Sequence, residues 1–323
     1  MKKESKAPFK LLPAIAPSVG DYKELAKRLR NFFNTELKNY KRACIRAAKE
    51  YKEQSTFDAG DNAFPFEVYI NELIERQFRA SAKAAQKEVQ TIALDARDPP
   101  YMYSLKFAEA AARYRIEFTN EKARDVSYWF CRKLLRNVNH RMKRQLKAAG
   151  ISTAWLAKRW TIPYIGGQSV PPAVAAGLPD YIAEIANLIT KMSAKSHAKV
   201  QDALIKGLAK GMNVQDLVST LNKLEHMDSA RALRVARDQS CKLNQFVQRE
   251  NYKSIGVSYG QWQHIPGQFS SRYTHKYIMN GQNFDLKKGC FDPEVNRDIQ
   301  PGELPYCRCT FRAILPDFLL RDI

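Results

Sequence analysis

Cys307-Arg-Cys-Thr-Phe-Arg-Ala-Ile314 alternates with a period of two. In an extended chain Cys307, Cys309, Phe311 and Ala313 share one face, and Arg308, Thr310 and Arg312 share the other. That pattern belongs to a half-buried strand, because a helix would repeat about every 3.6 residues. Upstream, Val257-Ser-Tyr-Gly-Gln-Trp-Gln-His264 reads as a second strand following Gly256. The chain beyond Gly256 therefore carries strands and turns.

Most of the chain before Gly256 has a helical period. From Asp21 to about Gln54, Leu25, Leu29, Phe32, Leu37, Tyr40, Cys44, Ala48 and Tyr51 recur mostly three or four residues apart and form one apolar face. A second helix is expected from Phe66 to Leu94, between the Gly60-Asp61 turn with Pro65 and the Pro99-Pro100 break. A third spans Leu105 to Ala149, with Asn120 as a candidate break and Gly150 as the C-terminal cap. Ile162 to Pro179 is rich in Gly, Pro and Ser and reads as a linker. Pro179-Asp180 then opens a helix to about Ala209. Asn213 caps a short helix through Leu224, and Asp228 caps another that ends near Gly256. The expected organisation is a helical basic region at 1–161, a linker at 162–178 and an α+β domain at 179–323. The fold class is thus a mostly α N-terminal region plus an α+β C-terminal domain, helices followed by a small antiparallel sheet.

Composition narrows the function classes. The net charge is +20, and a field of that sign favours polyanions: nucleic acid, an acidic protein surface or anionic lipid. No run of about 18 apolar residues occurs, so no membrane span is expected. Prolines at 8, 13 and 17 interrupt the apolar part of the amino terminus, which makes a poor signal peptide and points to a cytoplasmic origin. Six cysteines scattered over the chain read as free thiols rather than a secreted disulfide scaffold.

Between Asp125 and Asp180 there is no acidic residue. Arg132, Lys133, Arg136, Arg141, Lys143, Arg144, Lys147, Lys158 and Arg159 fall in that stretch, interleaved with Tyr128, Trp129, Phe130, Trp155 and Trp160. Clustered cations suit phosphates, and aromatic faces can stack on unpaired bases. A solvated helix face whose aromatics belong to the core accounts for the same pattern.

The C-terminal half carries a series of phrases in a fixed order. They read Arg231 with Arg237-Asp238-Gln239, then Asn244, Gly256, Tyr259 and Trp262. Arg272 and His275 follow, then Gly281 and Phe284, then Pro301-Gly302-Glu303 before Cys307-Arg308-Cys309. Over about Pro179 to Pro316 this resembles the phage Mu protein F-like family, also called the phage head morphogenesis or minor head protein family. The family's acidic residue and first arginine ahead of the R-x-x-H phrase are Gln268 and Ser270 in this chain. The resemblance implies a minor capsid protein of a tailed bacteriophage, a structural protein of the virion acting in head morphogenesis. It implies a portal-associated protein in the head interior or at the portal vertex, with portal, head or neck proteins as partners and with packaged DNA as a further contact. Physically, Arg231, Arg237, Asp238, Asn244, Arg272, His275, Gly281 and Arg308 suit a fold-specifying polar network better than an active site.

Two further chemistries bear on the same residues. Cys307 and Cys309 point to one strand face, and with His275, and Cys290 as a further candidate, they form a conceivable zinc site. The expectation is instead a pair of buried thiols with no cofactor, which Phe311 on the same face suits. For catalysis there is no candidate residue. His264 and His275 have no serine or cysteine at a nucleophile–base spacing, and Gly166-Gly167 lacks the lysine and helix signature of a phosphate loop. A non-specific DNA-binding protein, and a nuclease or toxin-like enzyme on the same domain, are the alternative functions.

Overall fold

The computed structural model describes residues 10–54, 66–91, 101–154, 156, 160, 162–164, 168–224, 229–266 and 271–319. Expectations at Gly60-Asp61, Pro65, Pro99-Pro100, Trp155, Lys158, Arg159, Gly166-Gly167, Asp228, Gln268 and Ser270 lie outside these residues. The mostly α architecture with a small C-terminal antiparallel sheet is as the periodicities indicate. Among the described residues no helix is long and apolar enough to cross a membrane.

The helices among the described residues are α1 (Val19–Gln54), α2 (Phe66–Arg76), α3 (Arg79–Val89), α4 (Met102–Ala148), α5 (Pro172–Ala209), α6 (Val214–Lys223) and α7 (Ser229–Ser254). In α1 the buried stripe runs Leu25, Leu29, Phe33, Leu37, Tyr40 and Cys44, so Phe33 and not Phe32 keeps the 3–4 spacing. The single helix expected from Phe66 to Leu94 is two, α2 and α3. Phe78 leaves helical geometry at φ −99, ψ 82, and its carbonyl accepts the Ser81 hydroxyl. The expected break near Asn120 does not occur. That side chain points off the helix to donate to Asn187 Oδ1 at 2.9 Å, so α4 continues unbroken. Gly150 follows α4 at φ +87, as a C-terminal cap should.

Helix α5 begins at Pro172, seven residues before the expected Pro179. Pro172 needs no amide partner in a first turn, and the Pro171 carbonyl accepts from Val174 and Ala175. Pro179 therefore sits inside the helix, forgoing one backbone bond. The rest of the expected linker carries a two-stranded pairing, β2 (Ile162–Tyr164) with β3 (Gln168–Val170). Asn213 caps α6 as expected, its side chain accepting from the Asp216 amide at 2.8 Å.

Two compact units result, and they cut across the sequence order. One takes the described residues of Met1–Arg28, Ser127–Ala183 and Ser229–Ile323; the other takes those of Leu29–Val126 and Glu184–Asp228.

The first unit holds the sheet. Its strands are β1 (Lys10–Leu11), β4 (Tyr259–Gln263), β5 (Asn283–Asp285) and β8 (Thr310–Leu315), in the antiparallel order β1-β8-β4-β5. Trp262 pairs with Phe311, and Lys10 with Leu315. A separate ribbon pairs β6 (Cys290–Asp292) with β7 (Arg297–Ile299). The alternation of β8 holds for Phe311, Ala313 and Leu315, which are buried. Thr310, expected outside, is buried too. Helix α7 covers it, and Gln245 bonds its hydroxyl at 2.9 Å. Around this frame Trp160, Tyr252, Trp262, Phe284 and Phe311 anchor one continuous apolar core. Asn244 donates to the Ile15 carbonyl at 2.6 Å from within it.

The second unit buries a charged cluster. Arg115 forks onto Glu75 at 2.8 and 3.0 Å, and its third nitrogen lies 3.0 Å from His197 Nδ1. The guanidinium also sits 4.8 Å from the Tyr40 ring centre, and His197 stacks on that ring at 4.3 Å. Burial, then the Arg115 charge, pushes the His197 pKa down to about 3, so this imidazole is neutral at ordinary pH.

Candidate functional site

The clearest convergence of reactive side chains lies where the sheet meets the turns below it. Cys307 and Cys309 enter on the extended chain leading into β8, two residues apart and so on one side. A tight turn aims them. Tyr306 takes φ +60, unusual for a bulky residue, and its amide donates to Asp238 Oδ1 at 2.5 Å. His275 comes from a π-helical turn, Thr274–Ile278, closed by the Met279 amide on the Thr274 carbonyl at 2.8 Å. All three residues are buried, and their ligand atoms lie within 4.8 Å of one another.

Each neighbour fixes the imidazole further. His275 Nε2 is 3.2 Å from Asp292 Oδ2, and Asp292 Oδ1 accepts from the Glu294 amide at 3.0 Å. A buried carboxylate accepts, so the Nε2–H tautomer is assigned, leaving the Nδ1 lone pair for the sulfurs. That atom is 3.5 Å from Cys307 Sγ and 3.5 Å from Cys309 Sγ. A second imidazole joins at the end of β4, where His264 Nδ1 is 3.7 Å from Cys309 Sγ. The Trp262 indole closes the far side, edge-on to His275 at 5.3 Å.

The electrostatics follow from this crowding. A hydrogen bond from Cys309, with His275 alongside, holds the Cys307 thiol well below its usual range despite its burial. The Cys309 thiol is raised correspondingly, as the donor in that bond. Burial opposes charge on His275, but Cys307 and Asp292 together hold its pKa above the ordinary value. The cluster therefore draws the Cys307 thiol towards its thiolate, the form that binds a soft or borderline cation.

Above the thiols opens a cavity of about 690 Å3, with Arg234, Arg237, Arg272 and Arg308 among its walls. Arg237 lies against Tyr22, 4.7 Å from the ring centre, and Arg272 donates to the Pro305 carbonyl at 3.2 Å. Burial, and then the neighbouring Arg237, lowers the Arg308 pKa. Asp238 lies 3.5 Å from Lys242 and also holds the Tyr306 amide. Arg231 is partly buried near the start of α7. Gly281 and Gly302 take φ +84 and +79, as their turn positions require. Their surroundings differ. A Cβ on Gly302 would stand 3.0 Å from Gln245 and 3.3 Å from the Cys241 carbonyl, whereas Gly281 faces open space.

Among the predicted metal residues the structure brings His275, Cys307 and Cys309 together and leaves Cys290 out, its thiol facing Gln282. The structure adds His264 and Asp292 to them. The alternation of β4 puts His264 on the buried side with Trp262, a signal present in the sequence. Asp292 has none, because only the folded β6–β7 ribbon delivers it.

The basic stretch divides by exposure. Arg132, Arg136, Lys143, Arg144 and Lys147 are exposed on one side of α4, opposite the buried Leu134, Leu135, Val138, Met142 and Leu146. Among the described residues none of the five forms an ion pair. Lys133 is partly buried beside the Trp129 ring. Arg141 corrects the expectation that these cations lack a carboxylate. It turns inward to Asp21 at 3.1 Å and to the Ala16 carbonyl, because α1 supplies the acid that the local sequence lacks. Trp160 is core rather than a stacking platform, donating to Ser254 at 2.9 Å. Trp129 is covered by the Arg28 guanidinium at 3.6 Å.

Comparison with known proteins adds one family and one relative. The family model described as Phage Mu protein F like protein matches residues 198–312, so the resemblance read from the motifs holds there. An uncharacterized protein of Haemophilus influenzae is 27% identical over 129 residues, 40% of this chain. The matched stretch spans only 27% of that protein. No solved structure matches.

Proposed function

We propose that this chain is a minor head protein of a tailed bacteriophage, acting in head morphogenesis. The observation that carries the reading is the family match over residues 198–312, which suggests a head-morphogenesis protein with other head proteins as partners and the virion as its location. The finer reading is association with the portal vertex and a structural rather than enzymatic role. The polar network supports the structural role: Arg237, Asp238, Asn244 and Arg272 spend their bonds on backbone and neighbouring side chains. The test is mass spectrometry of purified procapsids and virions with co-purification against the portal protein. The chain is expected in particles and with the portal; consistent absence from both overturns the reading.

Contact with packaged DNA is a second part of the proposal, supported by the exposed side of α4. Arg132 to Lys147 spans about 22 Å of helix at 1.5 Å per residue. Phosphates are natural counterions for such a row.

A further inference from the structure

We propose that Cys307, Cys309, His275 and His264 together bind one zinc ion, which ties the entry of β8 to the π-helical turn and the end of β4. The distances carry the argument. With Zn–S near 2.3 Å and Zn–N at about 2.0–2.1 Å, the sulfur–nitrogen edge of a tetrahedral site is about 3.5 Å. The two His275 edges are 3.5 Å each and the His264–Cys309 edge is 3.7 Å. Three donors already surround a common centre. His264, 3.7 Å from the Cys309 sulfur, is the fourth, and its ring has to turn towards that centre to coordinate.

The surroundings point the same way. The carboxylate of Asp292 on the remote nitrogen of His275 is the arrangement that orients metal-binding imidazoles and raises their basicity. Thiol pairs that merely fill a core need no imidazole nitrogen, since buried cysteine behaves as a small apolar group. Here two imidazoles face the same sulfurs. Two thiolates and two imidazoles complete four-coordination, so the ion has a structural role and no open position for substrate. The sheet gains from it: apart from β8 and β4, its strands are only two or three residues long. Zinc is the natural occupant of a mixed sulfur–nitrogen tetrahedron, ahead of magnesium or calcium, which take oxygen.

The experiment uses the full chain purified under reducing conditions. Elemental analysis is expected to find one zinc per chain, and zinc is expected to be released as thiol reagent blocks Cys307 and Cys309. Cobalt exchanged into the site should give the intense visible bands of a tetrahedral centre with sulfur charge transfer. Cys307→Ser and Cys309→Ser should abolish stoichiometric zinc, and His264→Asn should weaken binding and change the cobalt spectrum. Asp292→Asn should keep the stoichiometry but lower affinity about 10–100-fold. If the serine variants fail to fold, the thiol-coupled release and cobalt spectrum of the parent chain decide. A metal-free parent that takes up no cobalt, a 307–309 disulfide in the reduced preparation, or zinc retained without the thiols overturns the proposal. An unchanged spectrum in His264→Asn overturns the four-donor set.

Discussion

Replacing Arg115 by methionine removes the positive partner of a carboxylate that has almost no access to water. The side chains of Arg115 and Glu75 are only 12% and 6% exposed, so the fork at 2.8 and 3.0 Å is not screened as a surface pair would be. Glu75 would be left charged and unpaired, and breaking a buried pair from one side costs about 3–5 kcal/mol. The loss of the guanidinium over the buried Tyr40 adds about 2 kcal/mol. Glu75→Leu alone should cost a similar amount, now stranding the arginine. The double variant Arg115→Met/Glu75→Leu buries no charge there, and should lie within about 1.5 kcal/mol of the parent. The cycle should therefore show a coupling of about 2 kcal/mol or more. Urea unfolding followed by circular dichroism gives the energies, and hydrogen exchange over α2 and α3 localises them. Strict additivity, or an Arg115→Met penalty under about 1 kcal/mol, would refute the reasoning.

The neighbouring imidazole predicts a pH dependence. His197 has a folded pKa of about 3 against an ordinary 6.5, so between those values the unfolded chain binds a proton that the folded chain refuses. Its contribution is intact above pH 6.5 and is lost as pH falls, about 2 kcal/mol by pH 5. His197→Gln should remove that part of the acid slope in denaturation midpoints measured from pH 7.5 to 5; a slope no shallower in the variant contradicts it. Gly302→Ala should destabilise by about 2–4 kcal/mol, combining left-handed backbone with crowding against α7, whereas Gly281→Ala should cost about 1–2 kcal/mol for the backbone alone. Equal penalties in thermal unfolding would show that the packing at Gly302 is irrelevant. If the five exposed cations of α4 all meet phosphates, DNA affinity should have a log–log salt slope of about −4.5. Changing Arg136, Lys143, Arg144 and Lys147 to glutamine should flatten it by about three to four units. Arg141→Gln should instead lower stability, and an unchanged slope in the quadruple variant would assign that helix side to another partner.

The sequence made the helices and the last strand legible because their apolar spacing is local. The motif phrases likewise located Cys307, Cys309 and His275, which the fold assembles. What it could not convey were interactions closed over long separations. Arg141 looked free of acids within the chain segment around it, yet Asp21 reaches it from α1. Thr310 followed the outward phase of its strand, yet Gln245 on α7 covers it. Helix α5 began early because Pro172 fits a first turn as well as Pro179 does, and period alone does not choose between them. Asp292 reaches His275 only after a ribbon has folded, and no spacing encodes that.

Strand β1 pairs with β8, so Lys10 must meet Leu315 before the sheet has both its edges. During synthesis β1 waits for about three hundred further residues before β8 appears, and the ordering cost of joining such distant segments is met only then. The sheet-bearing unit also takes its residues from three separate stretches, while the other closes once Asp228 has been made. Folding of the newborn protein should thus be vectorial in an inverted sense: the unit begun first is finished last. Until then the apolar faces that β8 covers stay open to other nascent chains, so this unit is the one more exposed to aggregation during synthesis.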